Sequence, residues 1–225
     1  MDITFHMKPG SAAAQVALGP NEQMTTEGGA MISMSGDMQI ETTTHKKGSG
    51  GVMKGLKRML AGENFFINHY TAGPLGGEVI LASTLPGDMM EYELDGDRLV
   101  VQAGSYVASA PGVDIDFGWQ GFRSLIAKEG LFWLNLSGKG KVILNSFGAI
   151  YPVEVDGEYI VDTGHIVAFN ETLGFSLTKA GKSWLASILG GEGLVCKFKG
   201  RGVVWCQSHN PSGFGRSLTP KLRPR

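Results

Sequence analysis

The chain has 225 residues, of which 42% are hydrophobic and 18% are charged. This composition provides enough apolar side chains for a sizeable core and excludes an intrinsically disordered chain. The formal net charge of −1 excludes a general electrostatic attraction to nucleic acid or to an anionic membrane. Glycine is in excess, with 34 residues scattered along the chain, which predicts many tight turns.

The N-terminal residues, 1–6, have neither the basic segment nor the apolar segment of a secretory signal peptide. No run of residues approaches the roughly 18 consecutive apolar residues that a membrane-spanning helix needs. Two cysteines do not make a disulfide framework. We therefore expect a soluble protein of a reducing compartment, and a bacterial type of cytoplasm is the expected location.

The chain matches itself at intervals of sixty or a few more residues, which indicates internal repeats. Residues 104–108 (GSYVA) match residues 164–168 (GHIVA). Residues 137–146 match residues 199–208 without a gap. The corresponding upstream segments are residues 29–33 and 77–83.

These matches predict a single β domain, residues 1–208, followed by a Pro/Gly-rich basic tail, 209–225. The domain is built from three tandem β-rich repeats at about 13–84, 85–147 and 148–208. A repeat of this length is marginal alone, so the three are expected to share a core. Closure around a pseudo-threefold axis would remove most open sheet edges. The predicted fold class is all-β, similar to a double-stranded β-helix, with few short helices and a tail that is either poorly ordered or draped over a neighbour.

Each repeat is predicted to contain two strand-rich parts separated by a short helix. Apolar residues recur at helical spacing in the segments 52–60, 122–126 and 184–189. The stretch 91–117 alternates in hydrophobicity and is interrupted by turn signals, which predicts several strands. Residues 132–144, with Ser-Gly-Lys-Gly in the middle, predict a β-hairpin.

Four stretches in a fixed order and spacing resemble a known family. They are residues 29–31 (GAM), 85–88 (LPGD), 162–169 (DTGHIVAF) and 190–195 (GGEGLV). Together they resemble the bacterial relatives of the mitochondrial-biogenesis "altered inheritance of mitochondria" family, over nearly the whole chain. The resemblance implies an all-β fold of repeats similar to the subunit of the trp RNA-binding attenuation protein. It implies no catalytic residues, because the bacterial members have no established activity.

The histidines do not form a pattern that is typical of a metal site. They are His6, His45, His69, His165 and His209, and no two are close enough in sequence to form a metal-binding pair. Histidines from separate strands could still converge. We predict no metal and no cofactor.

Two acidic motifs, at 95–97 and 114–116, offer oxygen ligands for a hard cation, but a turn and an exposed strand explain them without an ion. Gly181-Lys182-Ser183 resembles the end of a phosphate-binding loop, but Ser176 stands where such a loop needs a glycine. Neither motif therefore predicts a ligand site.

Cys196 and Cys206 align with Leu134 and Leu144 in the gap-free match. This alignment predicts buried thiols, which could face each other across a hairpin, and not nucleophiles. We expect no catalytic residue and no enzymatic activity.

Two windows without acidic residues, 42–62 and 193–225, concentrate positive charge, which is typical of a solvated face or of a binding patch. All ten methionines fall within residues 1–90, and methionine either fills gaps in a core or forms adaptable contact surfaces. Because both features coincide in the first repeat, we predict a partner-binding face there. Its candidate residues are Met31, Met34, Lys46, Lys47, Lys54, Lys57 and Arg58.

Three function classes remain open at this point. The first is a non-enzymatic, self-associating scaffold or adaptor that forms a homo-oligomer through exposed strand edges and has a possible protein partner. The second is an RNA-binding module, which only the fold similarity suggests, and nucleic acid is not expected as a partner. The third is a carrier of a small apolar or lipid ligand, and peripheral membrane association is left open.

Overall fold

The computed structural model describes residues 1–43, 66–116, 132–179 and 194–222 of the chain. Most of the regular structure in these ranges is β-strand, which confirms the all-β class. The strands, in chain order, are β1 (Asp2–His6), β2 (Ala13–Leu18), β3 (Gln23–Glu27), β4 (Met31–Met34), β5 (Gln39–Thr43), β6 (Ile67–Thr71), β7 (Gly77–Ala82), β8 (Met89–Asp95), β9 (Leu99–Gln102), β10 (Tyr106–Ser109), β11 (Val113–Asp116), β12 (Trp133–Asn145), β13 (Ile150–Asp162), β14 (Ile166–Asn170), β15 (Gly174–Lys179) and β16 (Leu194–Gln207). The helices in the same ranges are 3₁₀ turns at Ala103–Ser105, Thr163–His165 and Thr219–Lys221 and the α-helix α1 (Pro211–Leu218).

The alternation of side chains along each strand decides which face is buried. In β2, Ala14, Val16 and Leu18 are buried, and the residues between them are at least partly exposed. In β11, two buried apolar residues alternate with the exposed Asp114 and Asp116. Because successive side chains of a strand point to opposite faces, the acidic motif at this position follows from strand geometry.

The strands form two sheets. The smaller sheet has the order β1-β2-β7-β4, which places β4 at an edge. The larger sheet follows the order β13-β16-β14-β9-β12-β10-β3-β6-β5, and in addition β8 and β11 pair with β12 and β15 pairs with β16. The ladders that join these strands are antiparallel.

The predicted hairpin at 132–144 is wrong, because residues 133–144 belong to the single strand β12. Gly138 adopts a φ of 100°, in the left-handed region that glycine tolerates, and bends the strand without reversing it. The first half of β12 pairs with β9 and its second half pairs with β8. The strand β16 continues in the same way through Gly200, with a φ of 113°. Each of these long strands therefore joins several shorter ones.

One pairing pattern occurs in three parts of the chain. The strand β7 lies between β2 and β4, the second half of β12 lies between β8 and β10, and the second half of β16 lies between β13 and β14. The strands β4, β10 and β14 share a register shift at their second residue, which is Ile32, Val107 or Val167. The boundaries of the repeats and the pseudo-threefold axis stay predictions.

The buried apolar side chains form three clusters. The first lies mainly on β2, β7 and neighbouring strands, and the second surrounds Tyr106. The third contains Phe169, whose ring packs edge-on against Phe198 at a centroid distance of 5.0 Å and against Trp133 at 5.8 Å. Each fully buried large apolar side chain stabilises the fold by roughly 1.5–3 kcal/mol, so these clusters hold the sheets together.

The first part of the tail is helical and contacts the β domain, whereas the sequence had left open a tail that is poorly ordered or one that lies against a neighbour. Asn210 caps α1, because its side-chain oxygen accepts a hydrogen bond from the Gly213 backbone N–H at 3.1 Å. Pro211 occupies the first helical turn, where a missing N–H has no cost. The ring of Phe214 packs against Phe147 at 5.3 Å. The cap and this ring contact, which composition alone does not indicate, order residues 211–222.

The three segments predicted to be helical, 52–60, 122–126 and 184–189, lie outside the described residues.

Candidate interaction edge

The outer side of β4, which we call the β4 edge (residues 31–34), is an exposed apolar strand edge. The strand pairs with β7 on one side, and among the described residues no strand pairs with the other side. All four residues are exposed, Met31 at 39%, Ile32 at 58% and Met34 at 38%. Such an edge presents backbone N–H and C=O groups that another strand can bind.

The strands that correspond to β4 in the other two parts of the chain are covered on both sides. The strand β10 lies between β12 and β3, and β14 lies between β16 and β9. Val107 and Val167, which occupy the register shift that Ile32 occupies in β4, are buried. The β4 edge is thus the position where, within the described ranges, the second neighbouring strand is lacking.

The methionines of the first part of the chain divide between core and surface. Met24 and Met38 are buried in the first apolar cluster, whereas Met31 and Met34 lie on the β4 edge. Met24 and Met38 therefore fill the core, and a contact role for the exposed Met31 and Met34 stays a prediction. Among the predicted partner-binding residues, Met31 and Met34 share one exposed strand.

The basic members of the predicted partner-binding face lie outside the described residues. They are Lys46, Lys47, Lys54, Lys57 and Arg58. Their contribution to a binding face stays a prediction.

A second exposed edge lies at the end of the larger sheet, in residues 158–162 of β13, which we call the β13 edge. Among the described residues, β13 pairs with β16 only. Ile160 is 53% exposed, and Tyr159 is also exposed. The hydrogen bond from Lys197, whose Nζ lies 2.7 Å from a carboxylate oxygen of Glu158, lowers the pKa of Glu158. The chain therefore exposes apolar side chains on an edge strand at an end of each sheet.

Sequence reasoning did not identify the β13 edge. The signal that could have found it is the internal match, because residues 160–161 stand sixty residues after 100–101, which belong to the paired strand β9. Alternating hydrophobicity alone does not distinguish a strand with two neighbours from a strand with one.

A groove of about 440 Å³ lies over β3, β5 and β6. Its lining includes His69, whose Nδ1 lies 3.2 Å from the Thr25 hydroxyl oxygen and whose Nε2 lies 3.1 Å from the Thr43 hydroxyl oxygen. Gln39 and Ile40 complete the mixed polar and apolar wall. Because both ring nitrogens have hydroxyl partners, the imidazole is held in one orientation, which is typical of a structural histidine.

Both cysteines are buried, as the alignment with leucines predicted. Burial raises the pKa of Cys196 to about 12 and that of Cys206 to about 11, so both thiols are protonated near neutral pH. The possibility that they face each other across a hairpin is wrong, because both belong to the continuous strand β16. Ten residues of extended strand separate them by roughly 33 Å.

Glu27, at the end of β3, is a partly buried acidic residue. Burial raises the pKa of its carboxyl from 4.5 to about 7. Its charge also contributes to raising the pKa of Tyr106, for which burial is the larger cause. The Tyr106 hydroxyl lies 2.8 Å from the Ser109 hydroxyl oxygen and donates to the Thr25 carbonyl oxygen at 3.3 Å. These groups join β3 and β10 at the inner boundary between two parts of the chain.

Within residues 1–43, 66–116, 132–179 and 194–222, no three His, Cys, Asp or Glu side chains lie close enough together to hold a metal ion. The helices of these ranges include none that is long and apolar enough to cross a membrane. The expectation that the protein uses no metal and no cofactor stays a prediction.

The chain is similar to proteins of Streptococcus pyogenes and to one family model. An uncharacterized protein of Streptococcus pyogenes serotype M6 is 28% identical over 196 residues, which cover 84% of this chain and 78% of that protein. The X-ray structure of a Streptococcus pyogenes protein, a structural genomics target, matches with a TM-score of 0.81 at 24% identity and covers 98% of this chain and 99% of that one, which shows the fold. The model of the mitochondrial biogenesis AIM24 family matches residues 5–209. Because this match spans nearly the whole chain, the protein belongs to the mitochondrial biogenesis AIM24 family, as its sequence motifs predicted.

Proposed function

We propose that the protein is a non-enzymatic, self-associating scaffold and that its self-association uses the β4 edge. The observation that carries the proposal is that all four residues of β4 are exposed, whereas its counterparts β10 and β14 are buried between two strands. A strand whose counterparts pair on both sides, and whose own second side pairs with no strand of the described ranges, is suited to bind another strand.

The composition of the edge supports this proposal. Charged residues and proline are two of the devices that protect the strand edges of monomeric proteins. The β4 edge has the sequence Met-Ile-Ser-Met, with neither. Burial of three exposed apolar side chains on association adds a favourable hydrophobic contribution of about 25 cal/mol for each Å² removed from water.

The state of the cysteines supports a non-enzymatic role. A nucleophilic cysteine needs a thiolate, which a lowered pKa provides. In this protein burial raises the pKa of Cys196 and Cys206. The two thiols therefore serve as small apolar side chains of the core.

The test is the mass of the purified protein in solution. Light scattering of the wild type at micromolar concentration should give a multiple of the 24.0 kDa chain mass. Ile32→Lys places a charge on the β4 edge and should shift the protein to monomer. Leu75→Lys is the matched control, because Leu75 is 94% exposed in the turn between β6 and β7 and lies on neither edge. A monomeric wild type, or an equal effect of the two variants, would contradict the proposal.

A further inference from the structure

The chain already contains two contacts that show what the β4 edge is built to bind. In one contact, β10 pairs antiparallel with β3, and Ala108 lies opposite Thr26. In the other, β14 pairs antiparallel with β9, with Ala168 opposite Val101 and Phe169 opposite Val100. In both cases the strand with the register shift binds a strand from the preceding part of the chain. The partners of β10 and β14 therefore define the kind of strand that β4 lacks among residues 1–43, 66–116, 132–179 and 194–222.

The ladders of the long strands identify the residues in the last part of the chain that correspond to these partners. Val101 lies opposite Leu134 in β12, and Val161 lies opposite Cys196 in β16. Leu134 and Cys196 have the same offset as the gap-free sequence match. Val161 therefore corresponds to Val101, and Ile160 corresponds to Val100. These residues belong to the β13 edge, whose other side pairs with no strand among the described residues.

The register shift gives the correspondence on the other strand. Ala168 is the second residue after Ile166 in β14, and Ser33 is the second residue after Met31 in β4. Each follows the residue at which the register shifts. Ser33 therefore corresponds to Ala168, and Met34 corresponds to Phe169.

We propose that the β4 edge of one copy pairs antiparallel with the β13 edge of a second copy, with Ser33 opposite Val161 and Met34 opposite Ile160. The inference rests on the proposed self-association and names the surface and register through which it occurs. Because the two edges differ, the contact is head-to-tail, and each copy keeps one edge for the next copy. Such contacts produce a closed ring or a filament.

The exposure of the proposed pair agrees with this register. Phe169 and Val100, the equivalent pair inside the chain, are buried. Met34 and Ile160 are exposed apolar side chains in the single chain. Residues directly opposite each other on antiparallel strands point to the same face, with Cβ atoms about 5 Å apart. Pairing of the two edges would therefore bring Met34 and Ile160 into direct contact and remove both from water.

Cysteine cross-linking between two full-length variants tests the register. Met34→Cys and Ile160→Cys are purified separately, mixed and exposed to a mild oxidant. Opposed positions on paired strands are close enough for a disulfide after a small adjustment. We expect a covalent dimer in the mixture at a rate at least ten times that of a mixture of Met34→Cys with Leu75→Cys. The wild type, whose two cysteines are buried, should give none.

Other outcomes overturn the inference and are distinguishable from failure of the proposed function. Rapid dimers of Met34→Cys alone would assign the contact to two β4 edges. An intrachain disulfide in the Met34→Cys/Ile160→Cys double variant would show that the two edges close within one chain. If the mixture of Met34→Cys with Ile160→Cys does not cross-link although the wild type is oligomeric by native mass spectrometry, the register alone is overturned. A monomeric wild type in the same spectrum would overturn the proposed function as well.

Discussion

The strand β14 pairs with β16 in the same antiparallel pattern in which β4 pairs with β7. The side chains of β14 are nevertheless mostly buried, whereas those of β4 are exposed. Both are short and mainly apolar, and both have a register shift at their second residue. The difference lies in the next strand, which is β9 for β14 and absent for β4 among the described residues. Burial in this fold is therefore decided by the adjacent part of the chain more than by the sequence of the strand itself.

The largest expected effect comes from the same substitution at equivalent positions of these strands. Val167→Lys places an unpaired charge in the core beside β9 and should destabilise the fold by about 5 kcal/mol or more, enough to prevent folding. Ile32→Lys, at the equivalent exposed position, should change the free energy of unfolding of the monomer by less than about 0.5 kcal/mol. Urea unfolding and soluble yield measure both. Equal destabilisation by the two variants would show that β4 is covered in the folded chain.

The next largest effect comes from the fourth residue of each strand, which is Phe169 in β14 and Met34 in β4. Phe169→Ala removes a ring that contacts Phe198 and Trp133 and should cost about 3–5 kcal/mol. Met34→Ala removes a partly exposed side chain and should cost less than about 1 kcal/mol in the monomer. Thermal unfolding at a concentration where the protein is monomeric separates the two. A cost for Met34→Ala that rises with protein concentration would indicate that association buries this residue.

The smallest effect concerns Glu27 of β3, the strand that pairs with β10. Glu27 follows Thr26 as Gln102 follows Val101, so Glu27→Gln inserts the residue of the equivalent position. The pKa of Glu27 is about 7 in the folded chain against 4.5 ordinarily. The folded chain therefore binds more protons between these values, and its stability falls as pH rises from about 4.5 to about 7.

Glu27→Gln should remove this loss and raise the free energy of unfolding at pH 8, relative to the wild type, by up to about 3 kcal/mol. At pH 4 the difference should be close to zero. Urea unfolding at pH 4, 6 and 8 measures the profile. Glu93→Gln, which changes an exposed carboxylate in β8, is the control, and a parallel profile for both variants would contradict the assignment to Glu27.

The sequence was sufficient for the features that depend on neighbouring residues. The alternation in β11 was predicted from a few adjacent side chains. The family was predicted from short motifs at fixed spacing. The burial of Cys196 and Cys206 followed from their alignment with leucines. Local patterns and internal comparison therefore predicted the fold class and part of the core.

Features that depend on distant residues could not be predicted in this way. A glycine between two apolar runs is compatible with either a hairpin or one continuous strand. In β12 the strand is continuous, because its two halves pair with β9 and β8 and not with each other. The ordering of α1 depends on the contact of Phe214 with Phe147, far away in the chain. Of the candidate site, Met31 and Met34 were predicted, whereas Ile160 was missed because its exposure depends on whether a second strand covers β13, and none does within the described part of the chain.

The strand β7 pairs with strands that come much earlier in the chain, for example where Ala82 lies opposite Ala13 of β2. This long sequence separation has a consequence for synthesis on the ribosome. The strand β4 has its ladder with β7 alone among the described residues, and β7 ends 48 residues after β4. At a translation rate of about 5–20 residues per second, β4 waits roughly 2–10 s for that strand. Pairing between such distant segments also forms slowly, because a long loop must close first. The first sheet to leave the ribosome is therefore completed late, and its apolar strands are open to chaperones or to a neighbouring nascent chain during that interval.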